Sequence, residues 1–484
     1  MRKEMLQMSD ELAWIKIVPS ERQLAYQSTE FYGFFHFGIN TYTDREWGDG
    51  TEDPGIFLPE KFDAKQWISA AKSAGMQGVI LTCKHHDGFC LWPSKYTMHS
   101  VKASSWKDGK GDVVREISDA CQELGMKFGI YLSPWDRNQH YYGSGKAYDD
   151  FYVSQLTELL TGYGPIFSVW LDGACGEGPN GKKQIYDWER YYACVRKYQP
   201  GACIAVCGPD IRWCGNEAGD VRKSEWSVVP ERLALAESVQ ERSQQNDDEE
   251  FRNRRLTSDM EDLGSRQALE GEKNLIWYPA EVNTSIRPGW FYHSSEDDKV
   301  KSLEELKRIY IGSVGGNATF LLNIPPMPDG RLNENDVIRL QEFGEWKRNT
   351  FRKNLIEEAQ ISAESEDDSY PAENIKYDSL KMWYQPDETN KTAKLKITLK
   401  EKQNICYIVL REAIQYSQRV ESFSIYAGNE MEEKNIYEGT VIGYKKIIPL
   451  ADVYTDTITI SVDKARVMPL VAFVGIYGKK NSIR

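Results

Sequence analysis

From residue 31 to about residue 345 the chain alternates between two patterns: short apolar runs, and longer stretches whose apolar positions recur every three or four residues. The first pattern predicts buried strands and the second amphipathic helices. Residues 31–40 read as a strand. Residues 63–75 read as a helix, with Asp63 as N-cap, Gly75 as stop, and Trp67, Ala71 and Ala74 on the buried face. Residues 78–83, 127–132, 167–171 and 202–207 continue the strand series, with helices over 112–124, 149–160 and 185–197 between them. Residues 225–229, 275–280 and 318–323 read as strands six to eight, with helices over 303–314 and 334–346. Eight strands interleaved with helices predict an α/β fold, a (β/α)8-like barrel over residues 1–348.

Past Thr350 the pattern changes. Leu395-Lys396-Ile397-Thr398-Leu399 alternates strictly, as do Ser422 to Tyr426 and Thr457 to Ser461, with turn residues and no long helix between them. Residues 349–484 therefore read as a separate antiparallel β-sandwich. The polar segment 238–274 lies between strands six and seven. It reads as a solvated excursion over the barrel mouth or its flank.

Composition narrows the function. The net charge of −13 weighs against a nucleic-acid or anionic-membrane surface. No stretch approaches the ~20 apolar residues of a membrane helix. The nine cysteines form no C-x-x-C pair, and several fall in apolar strands, as buried small hydrophobes kept reduced would. No apolar leader follows Met1. The sequence as given reads as cytoplasmic, or as periplasmic or secreted if a leader was trimmed.

The chemistry is written at the strand ends. Three apolar runs stop in polar clusters: His36-Phe37-Gly38, Lys84-His85-His86-Asp87-Gly88, and Asp172-Gly173 after Val169-Trp170-Leu171. Polar groups ending successive strands of a parallel barrel converge on one mouth. Asp172 in so apolar a setting costs free energy unless hydrogen-bonded or functional, which points to a nucleophile or base. A glycosidase needs a second carboxyl group. Glu217, on a loop beside Trp213, and Glu281, ending strand seven, are the candidates. His36, His85 and His86 suit sugar hydroxyls or a metal. Adjacent histidines on an extended segment diverge, so His85 and His86 make a poor chelate. Trp47, Trp92, Trp135, Trp213 and Trp290 follow strands and Trp170 ends one, so aromatic faces are available for the C–H faces of sugars.

Together, Phe35-His36-Phe37-Gly38, Glu46-Trp47, His85-His86-Asp87-Gly88-Phe89, Tyr131-Leu132-Ser133-Pro134-Trp135 and Trp170-Leu171-Asp172-Gly173 resemble glycoside hydrolase family 29, the retaining α-L-fucosidases. The resemblance implies that Asp172 is the nucleophile and that His36, Glu46, Trp47, His85, His86 and Tyr131 hold the fucose. It also implies a metal-independent enzyme without a cofactor, acting on a fucosylated oligosaccharide or glycoprotein glycan. Arg212-Trp213-x-Gly215-Asn216-Glu217 resembles the branch acting on α-1,3/1,4-linked fucose in Lewis-type glycans, in which the matching Glu is the acid/base. Glu217 ranks above Glu281 on that ground. Glu281, Arg287 and Trp290 then shape the fucose pocket or the adjoining galactose site. The sandwich resembles the galactose-binding-like domains that accompany this family. The competing readings are a broad-specificity α-L-fucosidase, a metal-dependent hydrolase, a galactosidase with the same O2–O4 stereochemistry, and a non-catalytic glycan-binding protein on the same barrel.

Overall fold

The computed structural model describes residues 11–247, 249–252, 254, 262–387, 389–428 and 432–479. The N-terminal part is built on strands β1 Phe31–Phe35, β2 Gly78–Lys84, β3 Lys127–Leu132, β4 Ile166–Leu171, β5 Cys203–Val206 and β6 Arg212–Trp213. A small ladder, β7 Val228–Pro230 with β8 Leu275–Trp277, precedes the last two barrel strands, β9 Ala280–Ser285 and β10 Ala318–Asn323. The eight barrel strands pair in parallel in the order β5-β4-β3-β2-β1-β10-β9-β6. A parallel bridge between Ala205 and Ile211 brings the two edges together, so the sheet closes on itself. Every residue of β1, β2, β5, β9 and β10 is buried, as expected where helices cover one face and the barrel interior the other.

The helices begin where the sequence pattern places them. Asp63 accepts a hydrogen bond from Gln66 N at the start of Ala64–Ser73, and Asp112 accepts from Arg115 N at the start of Val113–Leu124. Gly125 ends the latter at φ 68°, a left-handed position that glycine takes without steric cost.

Three sequence expectations need correction. The first strand stops at Phe35, five residues short of Asn40: beyond it the backbone bonds side chains, His36 N donating to Asn323 Oδ1 and Phe37 N to Thr82 Oγ1. Residues 225–229 are not the sixth barrel strand. Val228 packs with Trp14, Trp277 and Tyr444, and Trp226 and Val229 with Tyr278 and Val441, so this apolar run is spent on contacts outside the barrel. The sixth barrel strand is the two-residue β6, too short for any periodicity to register. Residues 275–280 likewise belong mostly to the side ladder, and barrel strand seven starts at Ala280. Its inward positions Glu281, Asn283 and Ser285 are polar, which hides a buried strand from a hydrophobicity reading.

The C-terminal part is a six-stranded antiparallel sheet dominated by two 20-residue strands, β12 Ala393–Glu412 and β15 Lys446–Ala465. β11 Gln360–Ala363 pairs with the first half of β12 and β16 Val471–Gly478 with the second. Register shifts in β12–β15, between Thr398 and Gln403 and between Ile405 and Tyr407, mark where the ladder is irregular. A core of Leu395, Ile397, Ile408, Phe423, Ile425, Ile458 and Ile460 fills the space inside. This is the β-sandwich that strict alternation predicts. It docks on the barrel through Val409, Ile447, Phe473 and Tyr477, which join the barrel's own apolar core. Glu30 adds ion pairs at 2.6 Å to both Arg411 and Lys445. Among the described residues, no helix is long and apolar enough to cross a membrane.

Candidate active site

At the C-terminal ends of the barrel strands lies a cavity with about 610 Å³ of empty space, counting its open mouth. Phe34, His36, Glu46, Trp47, His85, His86, Tyr131, Trp170, Asp172, Trp213, Glu217 and Trp290 all line it. Strand ends and the loops beyond them thus bring together most, not all, of the residues expected from their own chemistry and from the family resemblance.

Asp172 follows β4 directly. Tyr131 OH donates to its Oδ2 at 2.8 Å and Ala174 N to its Oδ1 at 2.9 Å, which fixes the carboxylate plane against the cavity. His86 Nε2 stands 3.9 Å from Oδ2. Glu217 reaches the same cavity from the loop after β6, and Trp290 Nε1 donates to its Oε2 at 3.0 Å.

The histidine tautomers can be read from their partners. Asn323 must turn its amide NH2 toward Trp290 O, a pure acceptor, so its Oδ1 faces His36 and accepts from the backbone N and from Nδ1. Ser133 Oγ donates to Trp135 O and therefore accepts from His86 Nδ1. Both rings thus carry hydrogen on Nδ1 and keep Nε2 as an acceptor. Burial pushes both imidazoles down to about 4, so both are neutral near pH 7. Burial also drives His85 well down, and its buried Nδ1 has no hydrogen-bond partner within the protein. Three neutral imidazoles beside a carboxylate suit sugar hydroxyls. Among the described residues, no group of three or more His, Cys, Asp or Glu has the arrangement of a metal site.

Glu46 is the opposite case. Burial alone would raise its carboxyl, but hydrogen bonds from His293, Trp290 N and Phe291 N outweigh this and hold it below the usual range. It enters the cavity as an ionised acceptor.

The remaining expected residues sit elsewhere. Glu281 is second in β9, not last in its strand, and is fully buried at the barrel floor. Tyr26 and Tyr32 donate to its Oε2 at 2.6 and 2.5 Å, and Trp170 Nε1 to its Oε1 at 2.8 Å. It supports the cavity wall from behind and does not line the cavity. Arg287 is buried in a pair with Asp336 and Asp297, facing a neighbouring trench. Trp92 donates to Glu158 away from the mouth, and Trp135 packs behind His86 and Trp47.

The chain belongs to the α-L-fucosidase family. The family's sequence model matches residues 14–350, the barrel and its loops. Alpha-L-fucosidase 1 of Arabidopsis thaliana is 39% identical over 96% of this chain and 88% of its own length. Among solved structures, a glycoside hydrolase 29 family member from an unknown rumen bacterium is 36% identical, with a TM-score of 0.78 over 96% of this chain and 79% of that one. A Ruminococcus gnavus family 29 fucosidase, solved in complex with fucose, is 28% identical, with a TM-score of 0.82 over 96% and 95%. The chain is an α-L-fucosidase, a glycoside hydrolase whose substrate class is the fucosylated glycan.

Several residues of the fucosidase's site escape a sequence reading. Asn283 lines the cavity and accepts from Trp213 Nε1, and Asn323 orients His36. Asn323 ends the apolar run Phe320-Leu321-Leu322, and that mismatch was its available signal; Asn283 lies among polar neighbours and gave none. Ser243 and Gln244 belong to the excursion between strands six and seven, which does cross the mouth: Gln245 bonds Cys175 N and Gly173 O, locking it to the Asp172 loop.

Proposed function

We propose that this fucosidase removes terminal L-fucose with retention of configuration. Asp172 attacks the anomeric carbon as the bond to the leaving oxygen breaks, and Glu217 gives that oxygen its proton. Water then adds to the anomeric carbon, loses a proton to Glu217, and releases fucose as the ester to Asp172 breaks. The observation that carries this reading is one aromatic-walled cavity holding both carboxylates, each oriented by a donor from a different strand end. Glu281 has no part in proton transfer in this reading, because Trp170 lies between it and the cavity. His36, His85, His86, Tyr131 and ionised Glu46 would hold the sugar hydroxyls, and Trp47, Trp170 and Trp290 its apolar faces. Residues 1–348 are the catalytic unit of this reading and residues 349–484 its companion domain.

We further propose α-1,3/1,4-linked fucose of Lewis-type glycans as the substrate. Support comes from the Arg212-to-Glu217 motif, and from Trp213 and Gln244, which line the cavity with Glu217 and offer a surface to a branched aglycone. The test is fucose release from a Lewis trisaccharide beside an α-1,2-fucosylated one. Release from the first alone is expected. Release from both overturns the linkage assignment, and release from neither returns the barrel to a glycan-binding role.

A further inference from the structure

His293 belongs to no motif, lies outside the strand ends, and stands one layer behind the cavity. Its two ring nitrogens are both committed. Nε2 is 2.8 Å from Glu46 Oε1 and Nδ1 is 2.6 Å from Asp44 Oδ1. A neutral imidazole has one donor and one acceptor nitrogen, and a carboxylate only accepts. A ring between two carboxylates satisfies both only as imidazolium. Asp44 and Glu46 lie on the loop after β1, whereas His293 lies on the loop after β9, so the contact ties together two loops far apart in sequence.

The same second loop supplies two further bonds to the Glu46 carboxylate: Phe291 N donates to Oε1 at 3.0 Å and Trp290 N to Oε2 at 2.9 Å. Trp290 in turn donates its indole N–H to Glu217. Gly289 makes the close approach possible. A Cβ there would stand 2.7 Å from Glu46 Oε1 and 2.9 Å from His293 Cδ2.

We propose that His293 is a positioning residue for sugar binding: as an imidazolium clasped between Asp44 and Glu46, it fixes the Glu46 carboxylate, and with it the Trp290 loop, at the cavity wall. This rests on Glu46 being a fucose contact. Hydrogen bonds to both carboxylates overcome burial and raise the imidazolium to about 9, the Glu46 bond being the largest influence. The other charged groups around the trench are Glu296, Lys299 and Lys301, which follow His293 in the chain, Arg287 before it, Glu217 from the loop after β6, and Glu305 and Arg308 from the helix Leu303–Ser313. The imidazolium half of the clasp is therefore kept below about pH 9 and lost as the pH rises through that value.

The experiment compares L-fucose affinity and kcat and KM on an aryl fucoside for wild type, H293A, H293Q, E46Q and the H293Q/E46Q double variant. H293A should weaken L-fucose binding by about 10- to 100-fold, the range for one hydrogen bond to a charged group, and raise KM more than it lowers kcat. H293Q can still donate to Glu46 but carries no charge, so it should lose less and should abolish the alkaline fall in affinity near pH 9. The double variant should lose less than the product of the single losses. G289A, which leaves every charge in place, should weaken binding by intruding on the clasp, and it keeps the test intact if H293A does not fold. Wild-type affinity in H293A, an unchanged alkaline limb in H293Q, or additive losses would overturn the role of His293 while E46Q still weakens binding. An E46Q enzyme that binds fucose normally would instead overturn the reading of Glu46 beneath it.

Discussion

At the scale of single residues, the cavity separates groups that must stay neutral from groups that must stay charged. His36 and His86, held to about 4 by burial, are neutral acceptors in the folded protein, but would take up a proton near 6.5 when unfolded. The unfolded chain thus binds more protons between these values. Their contribution to stability is full above pH 6.5 and is lost as the pH falls toward 4. Thermal melting followed over that window should show the midpoint dropping, with a shallower drop in H86N. Asp172→Ala should lower kcat/KM by about three orders of magnitude or more while L-fucose still binds. A 2-fluoro-fucosyl donor should leave a sugar ester on Asp172 detectable by mass spectrometry. Near-wild-type turnover in that variant, or an ester elsewhere, would sink the nucleophile assignment. Asp172 and the three histidines were legible because each interrupts an apolar run at its end. His293 was not, because it ends no apolar strand and gains meaning only through contacts with residues about 250 positions away.

At the scale of elements, β9 shows how a shift of strand boundary changes a residue's meaning. The apolar run Leu275-Ile276-Trp277 draws the strand too early, which sets Glu281 at the mouth. With the strand starting at Ala280, the same residue lies at the floor. Its pattern Ala-Glu-Val-Asn-Thr-Ser could not reveal it, because the barrel interior here is hydrogen-bonded rather than greasy. Burial raises the Glu281 carboxyl, and the two tyrosines and Trp170 stabilise it in place. Glu281→Leu would strand those three donors, and should destabilise the protein by about 2–4 kcal/mol in urea unfolding, while Glu281→Gln, which can still accept from Trp170, should cost less. Equal losses would mean that packing, not hydrogen bonding, is the role of this side chain. The helices were easier, since Asp63 and Asp112 announce their starts by chemistry that acts within three residues.

At the scale of the whole molecule, the sandwich is bound to the barrel by both apolar packing and a buried charge cluster. Glu30 sits between Arg411 and Lys445; burial works against its ionisation, but the two cations prevail and hold it at about 2. That stabilisation is present above pH 4.5 and fades as the pH falls through about 2. Glu30→Ala takes the carboxylate from Lys445 and leaves Arg411 with Asp378, and should lower stability by about 3 kcal/mol, read as a drop in the melting midpoint. An unchanged midpoint would show that the apolar contacts alone hold the parts together. The sequence's change of period near residue 350 revealed the second unit, but its docking was illegible, because Glu30, Arg411 and Lys445 meet only in three dimensions. The cavity is a blind well: the tyrosines, Glu281 and Trp170 plug its lower end, so nothing can thread through. A blind well takes only tips. On the proposed reading of the site, a decoration capping the fucose would keep the sugar out of the well and would have to be stripped by another enzyme first.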